Sequence, residues 1–218
     1  MHDHGLQTDA GRQVLLADIG GTNARFALAD TGAAMPLLEE SIRRYAVADF
    51  RSLGDAARRY LADAGLARGA LRRGVFAVAG HVADDGARMT NHPWVVSRRR
   101  LRESLGLEDA RLVNDFTAQA MALPLLEPAQ LAGIGAPHSA GPKPGSKRTF
   151  AVMGPGTGLG IGGLLLRDGR AIALETEGGH AGFAPGTPLE AALLDHLARD
   201  YGRVSNERLL SGPGLVNI

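Results

Sequence analysis

The sequence predicts an α/β fold with two sheets, each of which carries a glycine-rich turn. The first turn, Asp18-Ile-Gly-Gly-Thr-Asn23, follows an apolar, strand-like run at residues 14–17. The second turn, Gly154-Pro-Gly-Thr-Gly-Leu-Gly160, follows a similar run at residues 150–153. Two such turns can face each other across a cleft and bind a polyphosphate through their backbone N–H groups, which suggests phosphoryl transfer.

The composition excludes several classes of function. The 218 residues carry 24 basic and 23 acidic side chains, a net charge of +1, so charge gives no reason to expect nucleic acid or an acidic membrane as a partner. The chain has no cysteine, which excludes disulfides, thiolate zinc sites and cysteine nucleophiles and fits a reducing cytoplasm. We expect neither export nor membrane insertion, because no basic-then-apolar leader and no long apolar span is present.

The first half of the chain reads as alternating strands and helices. Residues 1–12 are predicted to be a disordered leader. Strands are predicted at residues 14–17, 25–29, 41–47, 74–79 and 111–113. Helices are predicted at residues 49–64, which Gly65 ends, from a Ser97 cap to Gly106, and from Asn114-Asp115 to Pro124.

The second half follows a segment rich in Gly, Pro and Ser at residues 136–146, which indicates an exposed loop or a domain boundary. Strands are predicted at residues 148–153, 161–166 and 171–174, and Arg167-Asp-Gly169 is a hairpin turn between the last two. Thr187-Pro-Leu-Glu190 is a capping box that begins a helix through Asp200, and Gly202 ends it.

The first glycine turn has the residues that phosphoryl transfer needs. Asp18, at the end of a buried strand, can hold a water molecule on a Mg²⁺ ion. Gly20 and Gly21 let the backbone approach a phosphate, and Thr22, Asn23 and Arg25 can donate hydrogen bonds to it. An ordinary tight hairpin would use the same residue types, and both interpretations stay open at this point.

Two motifs near the second turn are misleading. Gly158-Leu-Gly160-Ile-Gly-Gly163 has the spacing of a dinucleotide-binding fingerprint, but a strand and a turn follow it where that fingerprint needs a helix. Residues 141–147 resemble a Walker loop, but their spacing is wrong and the prolines remove N–H donors. A basic loop is the better interpretation of residues 141–147.

Several polar residues follow predicted strands. Asp115 could accept a hydroxyl proton as a general base, although Asn114 and Asp115 would equally suit simple helix capping. Glu177 and His180, which flank a Gly-Gly turn next to Glu175, could hold a polyol, whereas a lone histidine is more often a packing residue.

Three further residues have individual interpretations. Glu207 has the position of an ordinary acidic residue in the first turn of a helix. Trp94 is predicted to pack in the core, and the nearby Asn91 could reach the cleft. The chain has no metal-ligand spacing such as H-E-x-x-H, so a structural zinc is not expected.

Together these segments resemble the bacterial glucokinase family, which belongs to the actin-like, hexokinase-type sugar kinases. The similar segments occur in the order of that family and span residues 15–218. They are residues 15–28 around the first turn, Met89-Thr-Asn-His-Pro-Trp94, Val113-Asn-Asp-Phe-Thr-Ala118, Ala120-Met-Ala-Leu-Pro124, residues 154–160, Glu177-Gly-Gly-His180, Phe183-Ala-Pro185 and residues 207–217.

The resemblance implies ATP-dependent phosphorylation of D-glucose at its 6-hydroxyl. Asp115 would then be the catalytic base, and the sugar would be held by Asn114, Asp115, Glu177, His180 and Glu207. Asp18 would belong to the cofactor site by serving Mg²⁺ through water, while the nucleotide phosphates would contact Gly20, Gly21, Thr22, Asn23, Gly156, Thr157 and Gly158. The resemblance also allows a homodimer, which relatives often form, although the sequence does not reveal the oligomeric state.

The resemblance further implies the two-lobed actin-like (ribonuclease H-like) fold. Residues 13–125 would form the small α/β lobe and residues 126–218 the first part of the large lobe, whose remainder would be missing. We therefore expect the 218-residue chain to be inactive by itself. The chain departs from the family pattern at His81 and Gly182. Two alternatives stay open: a kinase for another hexose, and a sugar-binding regulatory module without kinase activity.

Overall fold

The structure is a computed structural model that describes residues 11–83, 85–89, 93–135 and 147–218. The chain forms two compact units, Met1–Asp115 and Phe116–Ile218, and each is described by itself. Of the predicted leader at residues 1–12, residues 1–10 lie outside the described residues. The predicted loop at residues 136–146 and Asn91 also lie outside them. The assignment of residues 13–125 and 126–218 to two lobes stays a prediction.

A five-stranded sheet forms the centre of the first unit, in the order β3-β2-β1-β4-β8. Its strands are β1 (Gln13–Ile19), β2 (Asn23–Asp30), β3 (Leu37–Ala46), β4 (Arg73–Val78) and β8 (Asp109–Asn114). The first three strands are antiparallel neighbours, whereas β4 and β8 run parallel to β1. The carboxyl ends of β1, β4 and β8 therefore lie at one edge of the sheet, with Ile19, Val78 and Asn114 in register.

Two helices of the first unit begin at serine caps. Helix α1 (Leu53–Asp63) starts after Ser52, whose hydroxyl accepts a hydrogen bond from Asp55 N at 3.1 Å. The start predicted at residue 49 is wrong, because Val47–Asp49 forms a short 3-10 turn before the cap. Helix α2 (Arg98–Leu105) follows the Ser97 cap and ends at Gly106, whose φ of +74° is left-handed, as predicted.

A small sheet of three strands was not predicted. It consists of β5 (Gly80–Ala83), β6 (Gly86–Met89) and β7 (Val95–Ser97), in the order β5-β6-β7. The prediction of two sheets is therefore wrong, since the described residues form three. Strands of three or four residues are too short to show a period of two in the sequence.

The hydrophobic core of the first unit lies between its sheet and helices. The Phe26 and Tyr60 rings stack with their centroids 5.4 Å apart, and the Phe26 and Tyr45 rings meet edge to face at 5.9 Å. The buried Tyr60 hydroxyl donates to Ser41 O at 3.1 Å, so its polar atom is paired. Trp94 is buried in the same core, as predicted.

Tyr45 gives a pH-dependent prediction. Its hydroxyl donates to Asp63 Oδ2 at 2.8 Å, and burial together with this hydrogen bond raises the pKa of Tyr45 to about 12. Because the folded state favours neutral Tyr45, the associated stability is present below pH 10 and lost as pH rises through about 12. In an ultraviolet titration, the phenol that ionises at high pH should be missing in Tyr45→Phe and should ionise at a lower pH in Asp63→Asn. A curve unchanged in both variants would contradict the assignment.

The second unit contains an antiparallel sheet in the order β11-β10-β9. Its strands are β9 (Arg148–Pro155), β10 (Leu159–Arg167) and β11 (Arg170–Glu175). The predicted hairpin between β10 and β11 is confirmed, since Asp168 and Gly169 have φ values of +50° and +74°. A two-residue turn of type I′ needs a positive φ at both positions.

Helices complete the second unit. Helix α3 (Asp115–Ala122) starts at the border between the units, and Pro124 lies in the 3-10 turn Leu123–Leu125 that follows it. The predicted capping box of Thr187 and Glu190 is present and begins α4 (Pro188–Tyr201), which Gly202 ends. Two short helices follow, α5 (Glu207–Leu210) and α6 (Gly214–Asn217). Within the described part of the chain, no helix is long and apolar enough to cross a membrane.

Candidate active site

The first glycine turn connects β1 to β2 and forms the wall of a cavity. Gly20 N donates to Asn23 O at 2.9 Å, which closes the turn. The cavity has a volume of about 250 Å³ and is lined by Asp18, Gly20, Gly21, Thr22, Asn23 and Arg25. All the residues of this turn that the sequence analysis assigned to phosphate and metal therefore line one cavity.

Charge at this cavity is balanced between Asp18 and Arg25. Asp18 Oδ2 lies 3.5 Å from Arg25 Nη1, and both side chains are more than half exposed. An ion pair with this exposure is weak, so both groups stay accessible to a ligand. The carboxylate suits a hydrated divalent cation and the guanidinium suits a phosphate oxygen.

Arg44, which was not predicted from the sequence, contacts a residue that lines this cavity. Its Nε donates to Asn23 Oδ1 at 2.8 Å, which engages the amide oxygen of Asn23 and leaves the NH₂ group as the donor for a ligand. Arg44 lies on β3 directly opposite Arg25 on β2. Only the strand register reveals this neighbour, because 21 residues separate Arg44 from Asn23 in the sequence.

Asn114 and Asp115 lie at the same sheet edge as this turn. Asn114 is the last residue of β8, and its Nδ2 donates to Gly80 O at 3.2 Å. Asp115 is the first residue of α3, where the helix dipole favours a carboxylate. Since β4 separates β8 from β1, the backbones of Asn114 and Ile19 lie about 10 Å apart, twice the spacing of adjacent strands.

In the second unit, Glu207 joins the second glycine turn to His180. Glu207 Oε2 accepts a hydrogen bond from Leu159 N at 2.9 Å, directly after Gly158. Glu207 Oε1 lies 3.7 Å from His180 Nδ1, and His180 Nε2 lies 3.8 Å from Glu177 Oε2. The three side chains predicted to bind sugar in this unit, Glu177, His180 and Glu207, therefore form one cluster beside the turn.

Gly158 leaves room for the Glu207 carboxylate. A Cβ atom at Gly158 would lie 2.5 Å from Glu207 Oε2, so a larger residue would displace this carboxylate. The segment after Glu207 also holds the turn, since Gly212 N donates to Gly156 O at 2.7 Å. The sequence analysis missed Gly212, because a glycine that donates through its backbone leaves no side-chain signal.

The cluster has capacity left for a ligand. Distances of 3.7 and 3.8 Å are within ion-pair range but longer than hydrogen bonds. Glu177 is 77% exposed and His180 57%, whereas Glu207 is 29% exposed. Acceptor oxygens and imidazole nitrogens at this exposure can bind neighbouring hydroxyl groups of a polyol. Glu175 makes a different contact from these three residues: it accepts a hydrogen bond from Thr117 Oγ1 at 3.3 Å.

The donors at the first turn fit magnesium held through water. Within the described residues, no group of three histidine or acidic side chains could hold a metal ion directly. Mg²⁺ keeps several of its waters and needs only one or two protein carboxylates when nucleotide phosphates supply the remaining ligands. Asp18, half-exposed on the turn cavity, meets this requirement.

Comparison with known proteins identifies relatives over most of the chain. A glucokinase from Stenotrophomonas maltophilia strain K279a is 61% identical over 205 residues, which are 94% of this chain and 60% of the relative. A glucokinase from Xanthomonas oryzae pv. oryzae is 56% identical over 212 residues, 97% of this chain and 62% of the relative. The chain therefore spans about 60% of the length of these curated relatives.

A solved structure confirms the fold class. The crystal structure of a glucokinase from an Antarctic psychrotroph is similar with a TM-score of 0.79 and 35% identity, over 94% of this chain and 62% of that chain. The mixed α/β fold of the actin-like sugar kinases, which the resemblance implied, is thereby confirmed. The family model described as Glucokinase matches residues 15–218. The chain belongs to the glucokinase family.

Proposed function

We propose that the complete gene product containing this chain phosphorylates D-glucose with ATP and forms glucose 6-phosphate. The observation that supports this most is the cluster in the second unit, where Glu207 contacts both the glycine turn at Leu159 N and the His180 side chain. Such a cluster offers a polyol and a polyphosphate neighbouring places. Membership of the glucokinase family and the 61% identical glucokinase favour glucose as that polyol.

The candidate site residues have separate roles in the proposed reaction. Asp115 accepts the proton of the glucose 6-hydroxyl as its oxygen attacks the γ-phosphorus of ATP in line, and ADP leaves. Asn114, Glu177, His180 and Glu207 hold the other sugar hydroxyls. Backbone N–H groups of residues 20–23 and 156–158 bind the phosphates, and Asp18 holds Mg²⁺ through water. The ion, when bound, neutralises charge on the phosphate oxygens.

Discrimination between sugars would follow from the same contacts. Carboxylates that each accept hydrogen bonds from neighbouring hydroxyls are left unpaired when one hydroxyl points elsewhere, and an unpaired buried polar group is costly. Glucose should therefore react with a higher kcat/KM than mannose or fructose. Because the whole enzyme's reaction is proposed to involve only small soluble substrates, we also propose a cytoplasmic location, which the absence of cysteine fits.

A coupled assay of ADP formation tests the proposed function. The complete gene product is assayed with glucose, mannose and fructose in the presence of Mg²⁺ and ATP, and binding of each sugar is measured by calorimetry. We expect glucose to give the highest kcat/KM. Faster turnover of another hexose would establish the other kinase, and glucose binding without ADP formation would establish a sugar-binding regulatory module instead.

Glu207→Gln tests the role of the cluster. The amide keeps the shape of the side chain but loses the charge that strengthens hydrogen bonds from sugar hydroxyls, which are worth about 1.5–3 kcal/mol each when one partner is charged. We expect the KM for glucose to rise about 10- to 100-fold. The exposed Glu103→Gln on α2 is the matched control. A glucose KM that is the same in both variants would remove Glu207 from the sugar site.

A further inference from the structure

Phe116, the residue after the proposed base, lies against a glycine surface on β9 and β10. A Cβ atom added at Gly154 would lie 3.0 Å from Phe116 Cζ, and one at Gly160 would overlap the ring. A Cβ atom at Gly162 would lie 3.3 Å from the backbone oxygen of Phe116. The Phe116 ring therefore occupies the space that a side chain at Gly160 would take, and Phe116 would make tight contacts with a Cβ atom at Gly154 or Gly162.

The strand register places these glycines side by side. Gly160 on β10 pairs directly with Gly154 on β9, and Gly162 is two residues further along β10. Residues two apart on a strand point to the same face of the sheet. The three glycines thus form one bare patch on the face where Phe116 lies, on the hairpin that also carries the turn at residues 156–158.

Backbone conformation does not require these glycines. None of the three has a φ in the left-handed region that favours glycine. Glycine in a strand costs about 0.5–1 kcal/mol relative to alanine because of its conformational entropy. The space that the Phe116 ring occupies accounts for glycine at residue 160, and its tight contacts disfavour a larger residue at residues 154 and 162.

A second contact attaches the start of α3 to the same sheet. Thr117 Oγ1 lies 3.3 Å from Glu175 Oε1 at the end of β11. Phe116 and Thr117 together attach the first turn of α3 to all three strands of the sheet. Asp115 is the first residue of α3 and precedes Phe116 directly, so the position of its backbone depends on where this first turn is held.

We propose that Phe116 is a positioning residue for the reaction. The packing of Phe116 on Gly154, Gly160 and Gly162 fixes the start of α3 and thereby the position of the Asp115 carboxylate. This inference rests on the proposed function, in which Asp115 is the base. The same hairpin of β9 and β10 also carries the second glycine turn. A displacement of about 1 Å at a reacting group can cost about 100-fold in rate.

Four variants of the complete gene product test this. Gly160→Ala displaces the Phe116 ring from the sheet. Phe116→Leu removes the ring and keeps an apolar side chain of similar size. The double variant Gly160→Ala/Phe116→Leu relieves the overlap. Gly133→Ala is the control, because nothing lies within 4 Å of a Cβ atom at this position.

The readouts separate positioning from ordinary packing. Calorimetry with glucose gives the number of competent sites and the Kd, and kcat is expressed per competent site. We expect kcat to fall about 10- to 100-fold in Gly160→Ala and Phe116→Leu, with the glucose Kd within about twofold of wild type. The double variant should lose less than the product of the two single effects, and Gly133→Ala should keep the wild-type kcat.

Two outcomes would overturn the inference. One is a wild-type kcat per competent site in Phe116→Leu, which would leave the ring a packing residue. The other is strict additivity of the two substitutions, which would separate the ring from the glycines. Both are distinct from failure of the proposed function, since that failure would appear as wild-type protein that forms no ADP with glucose.

Discussion

Asp115→Asn should lower the kcat for glucose phosphorylation about 10²- to 10⁴-fold, the range that a positioned general base contributes. The amide occupies the same space as the carboxylate but loses the charge that strengthens a hydrogen bond from the sugar, so we expect the glucose Kd to rise by at most about 10- to 100-fold, as in Glu207→Gln. The coupled assay gives kcat and calorimetry gives the Kd, both on the complete gene product. The fall in kcat, measured with glucose saturating, reports the interaction made in the transition state separately from this change of Kd.

The matched control for Asp115 is Asp195→Asn. Asp195 is an exposed acid in the middle of α4, and its substitution makes the same change of charge. This variant should keep wild-type kcat and KM. If Asp115→Asn also turns over glucose at the rate of Asp195→Asn, another group takes the proton and the assignment of Asp115 is wrong.

Phe26→Ala should lower the free energy of unfolding of the first unit by about 3–5 kcal/mol, the usual cost of removing a buried phenylalanine ring. Phe26 is 1% exposed and stacks on Tyr60, so its loss leaves a cavity that the sheet and α1 cannot fill without moving. Because domains are stable by only about 5–15 kcal/mol, this loss is a large share of the total. Urea denaturation followed by circular dichroism measures it.

Met35→Ala is the control for Phe26, because the Met35 side chain is exposed and outside the core. Its effect should stay within about 0.5 kcal/mol. If Phe26→Ala lowers the free energy of unfolding by less than about 1 kcal/mol, the stacked rings do not stabilise the packing of the sheet on α1. Removal of a ring from a well-packed core costs more than that.

The elements that the sequence predicts most accurately have local signals at their ends. Helix α2 starts at the predicted Ser97 cap and ends at the predicted Gly106, because capping and left-handed glycine depend on residues within one turn. The capping box of α4 is correct for the same reason. The strands β5, β6 and β7 have three or four residues, too few to show a period of two, and the Asp85-Gly86 dipeptide at the end of the turn between β5 and β6 was the local hairpin signal that could have indicated them.

The site divides in a similar way. The residues of the first turn are contiguous in sequence, so a local motif suffices to bring Asp18 and Gly20 to one cavity. The hydrogen bond between Leu159 and Glu207 joins positions 48 residues apart, and only the resemblance to the family suggested Glu207. The sequence also assigned the glycines near residue 160 to a turn or a ligand, whereas Gly154 and Gly160 face the Phe116 ring.

The distance between a carboxylate oxygen of Asp115 and O6 of bound glucose tests the proposed mechanism most directly. It is measured in a crystal structure of the complete gene product with glucose and a non-hydrolysable ATP analogue. We expect about 2.6–3.2 Å, the reach of a base that takes a hydroxyl proton, with the backbone of residues 20–23 and 156–158 on the triphosphate. A carboxylate directed away from O6, or a triphosphate that contacts neither turn, would contradict the mechanism.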